Sequence, residues 1–276
     1  KIKGQPTPLN PKTISRKFSE CSSFWKYCVS HGLVPQQKAN PFSGRGFKKK
    51  KNTIKRQEWK PEEVVHLYNE ACLKVDLTRD GTKKRRQAEN LRDLILLAAY
   101  TGARLSEIIN LKVKFVETGG DVRFFHFAID ERGQEVGKTS AATRKFPVHS
   151  QIEEMVDRLV IMTADGYLIS GEEVDNEFDD RTTSIGKRFG KLKDELGYER
   201  HVQTFHSFKD AVRSALANNA AGINMGMQSE IIDYMCAHEG GSVGARVYQH
   251  YWRMEHLQKV AETLEYPWSD HKPPFL

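Results

Sequence analysis

The stretch AYTGARLSEIINL, residues 99–111, reads as two helices broken at a defined point. Ahead of it Leu91, Leu94, Ile95 and Ala98 recur at spacings of three and four, the period of a helix over 86–100 with one apolar face. Thr101-Gly102 interrupts that run, and a second helix is expected from about Arg104 to Leu111, with Leu105, Ile108 and Ile109 inward. Arg104 therefore stands at a helix start, just after a glycine that lets the backbone turn sharply. The positive end of a helix dipole disfavours a cation there. A guanidinium does offer a planar fork suited to two phosphate oxygens, so Arg104 is a candidate anion-binding residue.

Working outward, VRFFHFAID at 122–130 is rich in aromatic and β-branched residues and reads as a strand. Residues 131–137 read as a turn and TRKFPVH, 143–149, as the returning strand. From Gln151 to Leu264 the pattern is mainly helical. Upstream, Lys60-Pro61-Glu62-Glu63 has the proline and acids of a helix start. A further helix is expected over 11–32, with Ile14, Phe18, Cys21, Phe24, Trp25 and Cys28 on one face and Gly32 past its end. Between them SGRGFKKKKNTIKRQ lacks apolar periodicity and reads as a linker. The expected fold class is mainly α with a small antiparallel β-sheet (α+β). The expected organisation is a helical unit over 1–43, a basic linker over 44–57 and a main domain over 58–276.

The chain has 276 residues and is 38% hydrophobic, enough for a sizeable core. It contains no run of 18 apolar residues, so an ordinary transmembrane helix, and with it a membrane partner, is not expected. The opening KIKGQPTPLN has neither Met nor an apolar signal core, and reads as the start of a fragment of a longer chain. Cys21, Cys28, Cys72 and Cys236 show no metal-ligand spacing with histidine and no CxxC pairing, which fits reduced thiols in a cytoplasmic protein. The net charge of +7 is unevenly spread: residues 1–60 hold 15 Lys/Arg against 2 Asp/Glu, and the remainder 28 against 34. The density peaks at Lys48, Lys49, Lys50, Lys51, Lys55 and Arg56, candidates for neutralising DNA phosphates. Dinucleotide-fold, P-loop and HExxH signatures are absent, so neither a nucleotide cofactor nor a metal is expected.

Five positions in order, Arg104 in TGARLSEIINL, Lys138 in VGKTSAATRKFPV, His206 in TFHSFKDAVRSAL, His238 in IIDYMCAHEGG and Tyr248 in GARVYQHYW, resemble the catalytic domain of tyrosine recombinases, the phage-integrase family. The resemblance covers roughly residues 57–265, and the helix at 11–32 is similar to the last helix of that family's core-binding (SAM-like) domain. It implies a site-specific DNA recombinase or integrase, working on double-stranded DNA at attachment-type sites. It also implies a tetramer coupled through the C-terminal helix HLQKVAETL, and accessory DNA-bending proteins as further partners. A nucleoid-associated, viral or mobile-element setting follows from the same resemblance. Tyr248 would be the nucleophile that forms a 3′-phosphotyrosyl bond, and Lys138 the acid that protonates the leaving 5′-oxygen. Arg104, His206 and His238 would hold the scissile phosphate. Lys145 and Tyr251 stand as alternatives to Lys138 and Tyr248.

One departure from the family pattern matters. Where the family has H-x-x-R, this chain reads His206-Ser207-Phe208-Lys209. A lysine keeps the charge and loses the bidentate fork. Arg213, on the same expected helix face as His206 and Lys209, is a candidate substitute. The departure leaves open an alternative, a DNA-binding relative with weak or lost cleavage. A type IB topoisomerase-like enzyme, which shares the chemistry, is a further one.

Overall fold

The structure is a computed structural model that describes residue 9 and residues 11–44, 55–130, 132, 134–135, 140–172, 174, 180–219, 228–238 and 252–268. The chain divides into two compact units, Lys1–Lys55 and Arg56–Leu276. No described helix is long and apolar enough to cross a membrane.

In the first unit, α1 (Pro11–Ser30) forms as its periodicity predicts, and Gly32 follows in the left-handed region at φ +71°. Phe42 lies edge-on to Phe18 and Trp25, and Asn40 Nδ2 donates to Ser22 Oγ at 2.9 Å. This covers only part of the expected apolar face. Cys21 and Phe24 stay exposed, because a three-residue return segment is too short to cover five helical turns.

The second unit is built on α2 (Pro61–Asp76) and α3 (Lys83–Thr101). In α2, Val64, Leu67, Tyr68, Ala71 and Val75 form the buried stripe, and Glu63 Oε2 accepts from the Lys60 backbone N–H at 2.9 Å. Thr82 Oγ1 caps α3 by accepting from Arg85 N–H. The sequence pattern puts one apolar face on α3; in the fold Leu91 and every residue from Asp93 to Thr101 are buried. Helices pack on several sides of it: α2, α6 (Thr182–Glu195) and α7 (Ser207–Asn219). The one acid in that stretch, Asp93, is held by Arg92 and Arg158 at 2.8 Å each, which offsets the cost of burying it.

After α4 (Leu105–Ile109) comes an antiparallel sheet in the order β1 (Val116–Gly119), β2 (Val122–Phe127), β3 (Arg144–Pro147). Phe125 pairs with Val116 on one side and Phe146 on the other. Strand β1 was not expected: VETG is three half-covered residues and one exposed, with no apolar alternation to read. Then follow α5 (Glu153–Met162), α6, α7, α8 (Gln228–Met235) and α9 (Met254–Ala261). The result is mostly helical with a small three-stranded antiparallel sheet, the expected class.

The C-terminal segment closes on its own domain. Leu257, Val260, Ala261 and Leu264 are at most 1% exposed, Tyr266 donates to Ala99 O at 2.7 Å, and Trp268 Nε1 donates to Tyr100 Oη at 3.0 Å. The apolar stripe of α9 packs on its own domain.

Candidate active site

Gly102 sets the geometry. It caps α3 at φ +58°, and a Cβ on it would lie 3.0 Å from Val212 Cβ and 3.3 Å from Lys209 Cα. Thr101 supports the turn: its Oγ1 donates to Leu97 O and accepts from the Ala103 N–H. Only a residue without a side chain lets α7 pass this close. The contact brings Lys209 on α7 beside Arg104 at the start of α4.

Arg104 is anchored by the acid three residues on. Glu107 accepts the Arg104 backbone N–H at 2.9 Å and the guanidinium at 2.5 Å. Its other partner is Arg144 of β3, whose Nη2 donates to Glu107 Oε2 at 3.0 Å. Burial alone would raise the Glu107 carboxyl; Arg144 and Arg104 overcome that and hold it below the usual carboxylate range. Arg144 is itself 2% exposed, with Nε on Met235 O, Nη1 on Ala142 O and its plane over the Phe127 ring. A cleft of about 310 Å³ opens between α4 and the sheet, lined by Arg104, Glu107, His126 and Ala128 among others.

His206 sits in the turn just ahead of α7, where Ser207 Oγ accepts the Thr204 N–H. Its imidazole is held below the ordinary histidine value, first by burial, then by the positive charge of Arg56, with Lys209 and Arg104 adding to it and Asp210 opposing. Arg56 is brought there by Trp59. That indole is 2% exposed, donates to Thr204 O at 3.0 Å and packs on Phe189, Tyr198 and Phe208; Gln57 N–H donates to Val202 O. Lys209 is also held below the ordinary lysine value, chiefly by burial and then by Arg104 and Arg144. Three segments far apart in sequence thus bring Arg56, Arg104, His206 and Lys209 into one positive cluster, which can bind a phosphate-bearing anion.

The remaining candidates are placed as follows. Arg213 is half-exposed and pairs with Asp233 of α8 at 2.8 Å. Lys145 places its ammonium 4.8 Å over the Phe124 ring, on the opposite face of β3 from Arg144, and its N–H donates to Tyr234 Oη. His238 is exposed just after α8, its N–H donating to Asp233 O. Lys55 is exposed and belongs to the first unit. Lys48, Lys49, Lys50, Lys51, Lys138, Tyr248 and Tyr251 lie outside the described residues. Among the described residues no group of three or more His, Cys, Asp or Glu side chains is placed to hold a metal ion.

Sequence reading passed over Glu107 and Arg144 as site residues. The signal for Glu107 was present, an acid three residues into a helix that begins with the candidate arginine. For Arg144 the clue was its alternation with Lys145, which puts it on the core side with Phe146.

No family model and no curated protein matches the sequence. Solved structures do match the fold. A lambda integrase dimer bound to a COC′ core site superposes with a TM-score of 0.53 at 14% identity, over 87% of this chain and 59% of that one. Lambda integrase bound to DNA gives 0.52 at 13% identity, over 88% and 76%, and a lambda integrase tetramer bound to a Holliday junction gives 0.51 at 13%, over 82% and 58%. The chain therefore spans about three fifths of the length of the first of these integrase chains. Its fold is the catalytic-domain fold of tyrosine recombinases.

Proposed function

We propose that the protein is a site-specific DNA strand transferase that cuts and rejoins DNA through Tyr248. The observation that carries this reading is the convergence of Arg56, Arg104 and His206 beside the Gly102–α7 contact of a tyrosine recombinase fold. In the reaction the Tyr248 phenol gives its proton to solvent as its oxygen attacks the scissile phosphorus. The bond to the 5′-oxygen breaks, and that oxygen takes a proton from Lys138. The product is a 3′-phosphotyrosyl bond that a free 5′-hydroxyl later reverses. Arg104 binds the nonbridging oxygens with the Glu107-braced fork, and His206 and His238 donate to the same phosphate. In this reading residues 1–43 are the end of a core-binding domain, 44–57 a basic linker that follows the DNA backbone, and 58–276 the catalytic domain. The partners are duplex DNA at attachment-type sites, further copies of the chain and accessory DNA-bending proteins.

The test is a nicked suicide duplex incubated with the unaltered chain and with Tyr248→Phe. A protease-resistant covalent adduct from the first and none from the second is the expected result. Full adduct yield from Tyr248→Phe would move the nucleophile to Tyr251. A second reading, a DNA-binding relative with little cleavage, is favoured by one observation: Lys209 is bound to a backbone carbonyl, Ala237 O, at 3.0 Å. No adduct from the unaltered chain together with intact duplex binding would select it.

A further inference from the structure

The end of α8 is closed by a Schellman turn on the wrong residue. Ala237 N–H donates to Tyr234 O and His238 N–H donates to Asp233 O, the two bonds of that motif. The residue between them that must be left-handed is normally glycine; here it is Ala237 at φ +50°. Two carbonyls at this turn are taken by cations from elsewhere in the domain. Arg144 Nε donates to Met235 O at 2.8 Å and Lys209 Nζ donates to Ala237 O at 3.0 Å. Both cations are buried, at 2% and 8% exposure, so these contacts are shielded from water. They also lie at the negative end of the helix, where positive charge is favourable.

We infer that Lys209, together with Arg144, is a positioning residue that clamps the α8 turn and so presents His238, rather than a group that itself grips the phosphate. The assignment explains the lysine. An ammonium is a compact donor that satisfies a single carbonyl without the bidentate geometry a phosphate-gripping fork supplies. It also explains how an alanine is kept left-handed at the one position that sets the direction of His238. The inference deepens the strand-transfer reading and rests on it for the role of His238; the clamp itself does not.

The experiment uses the full chain with Lys209→Met, Lys209→Arg and the double variant Lys209→Met/Ala237→Gly. Three readouts are taken: amide exchange at Cys236, Ala237 and His238, affinity for a nicked duplex, and the rate of adduct formation at saturating DNA. For Lys209→Met we expect exchange at those amides to accelerate about tenfold or more with the rest of the domain unchanged. The saturated adduct rate should fall about tenfold while duplex affinity stays within about threefold, because the loss lies in presentation and not in binding. Lys209→Arg, which can still donate to Ala237 O, should restore both. Glycine at 237 should restore protection in the double variant, including where Lys209→Met alone fails to fold. Unchanged exchange in Lys209→Met overturns the clamp, as does a double variant that recovers nothing. Weakened duplex binding with unchanged exchange would make Lys209 a phosphate contact. If the unaltered chain forms no adduct, strand transfer fails while the exchange measurement still decides the clamp.

Discussion

Gly102 and Val212 are packed so closely that a Cβ added to the glycine would sit 3.0 Å from the valine Cβ. Through this approach the end of α3 and the start of α7 meet, and Arg104 and Lys209 become neighbours. Gly102→Ala meets two penalties, a left-handed φ of +58° and a contact with no flexible end to give way. The expected loss is about 3 kcal/mol of stability in urea or guanidinium unfolding. A loss under about 1 kcal/mol would mean that α7 moves aside without consequence.

Glu107 joins Arg104 to Arg144, and its carboxyl is held below its ordinary value of 4.5 in the folded state. As pH falls the unfolded chain takes up that proton first. The stability the group contributes is complete above about 4.5 and is lost as pH drops through the lower folded value. Glu107→Gln should therefore cost about 3 kcal/mol at pH 7 by leaving a buried arginine without its carboxylate. It should also flatten the acid limb of the stability curve. Denaturation midpoints from pH 7 to pH 3 check this, and an acid limb unchanged from the parent would count against it.

His206 titrates below its ordinary value because it is half-buried and faces Arg56, Lys209 and Arg104. Arg56→Ala removes the largest of those charges and should raise the imidazole pKa; Asp210→Asn removes the opposing carboxylate and should lower it further. Two-dimensional NMR titration of the ring protons reads both shifts. The folded value being depressed, the neutral ring contributes stability above the ordinary histidine range that is lost as pH falls through it, and Arg56→Ala should shrink that term. An Arg56→Ala ring that titrates as in the parent would place Arg56 away from the site.

The C-terminal segment belongs to the core of its own domain, so truncation after Trp252 removes Leu257, Val260, Ala261 and Leu264 from it. At about 1.5–3 kcal/mol for each large buried aliphatic chain, the loss is comparable with the whole stability of a domain. The truncated chain should show no cooperative melting transition by circular dichroism. Ending the chain after Trp268 should leave the transition in place. A cooperative transition in the shorter chain would show that α9 is dispensable to the fold.

Much of this was legible along the chain. The proline and acids of Lys60-Pro61-Glu62-Glu63, the period of Leu91, Leu94, Ile95 and Ala98 and the stop at Thr101-Gly102 are local signals, and the helices appeared where those signals lie. Strand β1 was not legible, because its stability comes from pairing with β2 and not from its own four residues. Arg104 stood out by its position. Arg144 did not: alternation puts it on the face of Phe146, but nothing local shows that Glu107 and the Met235 carbonyl will meet it there.

The sequence by itself determined the order of the elements, the break that exposes Arg104 at a helix start, and a lysine three residues after His206. Tertiary structure alone decided that Lys209 turns to the carbonyl of Ala237, 28 residues on, that Arg144 reaches Met235 across 91, and that Arg213 pairs with Asp233 on α8. The physical reason is one of range. Helix period, capping and turn chemistry depend on neighbours within a few residues. The direction of a buried cation depends on which unpaired carbonyl the packing brings within hydrogen-bond reach.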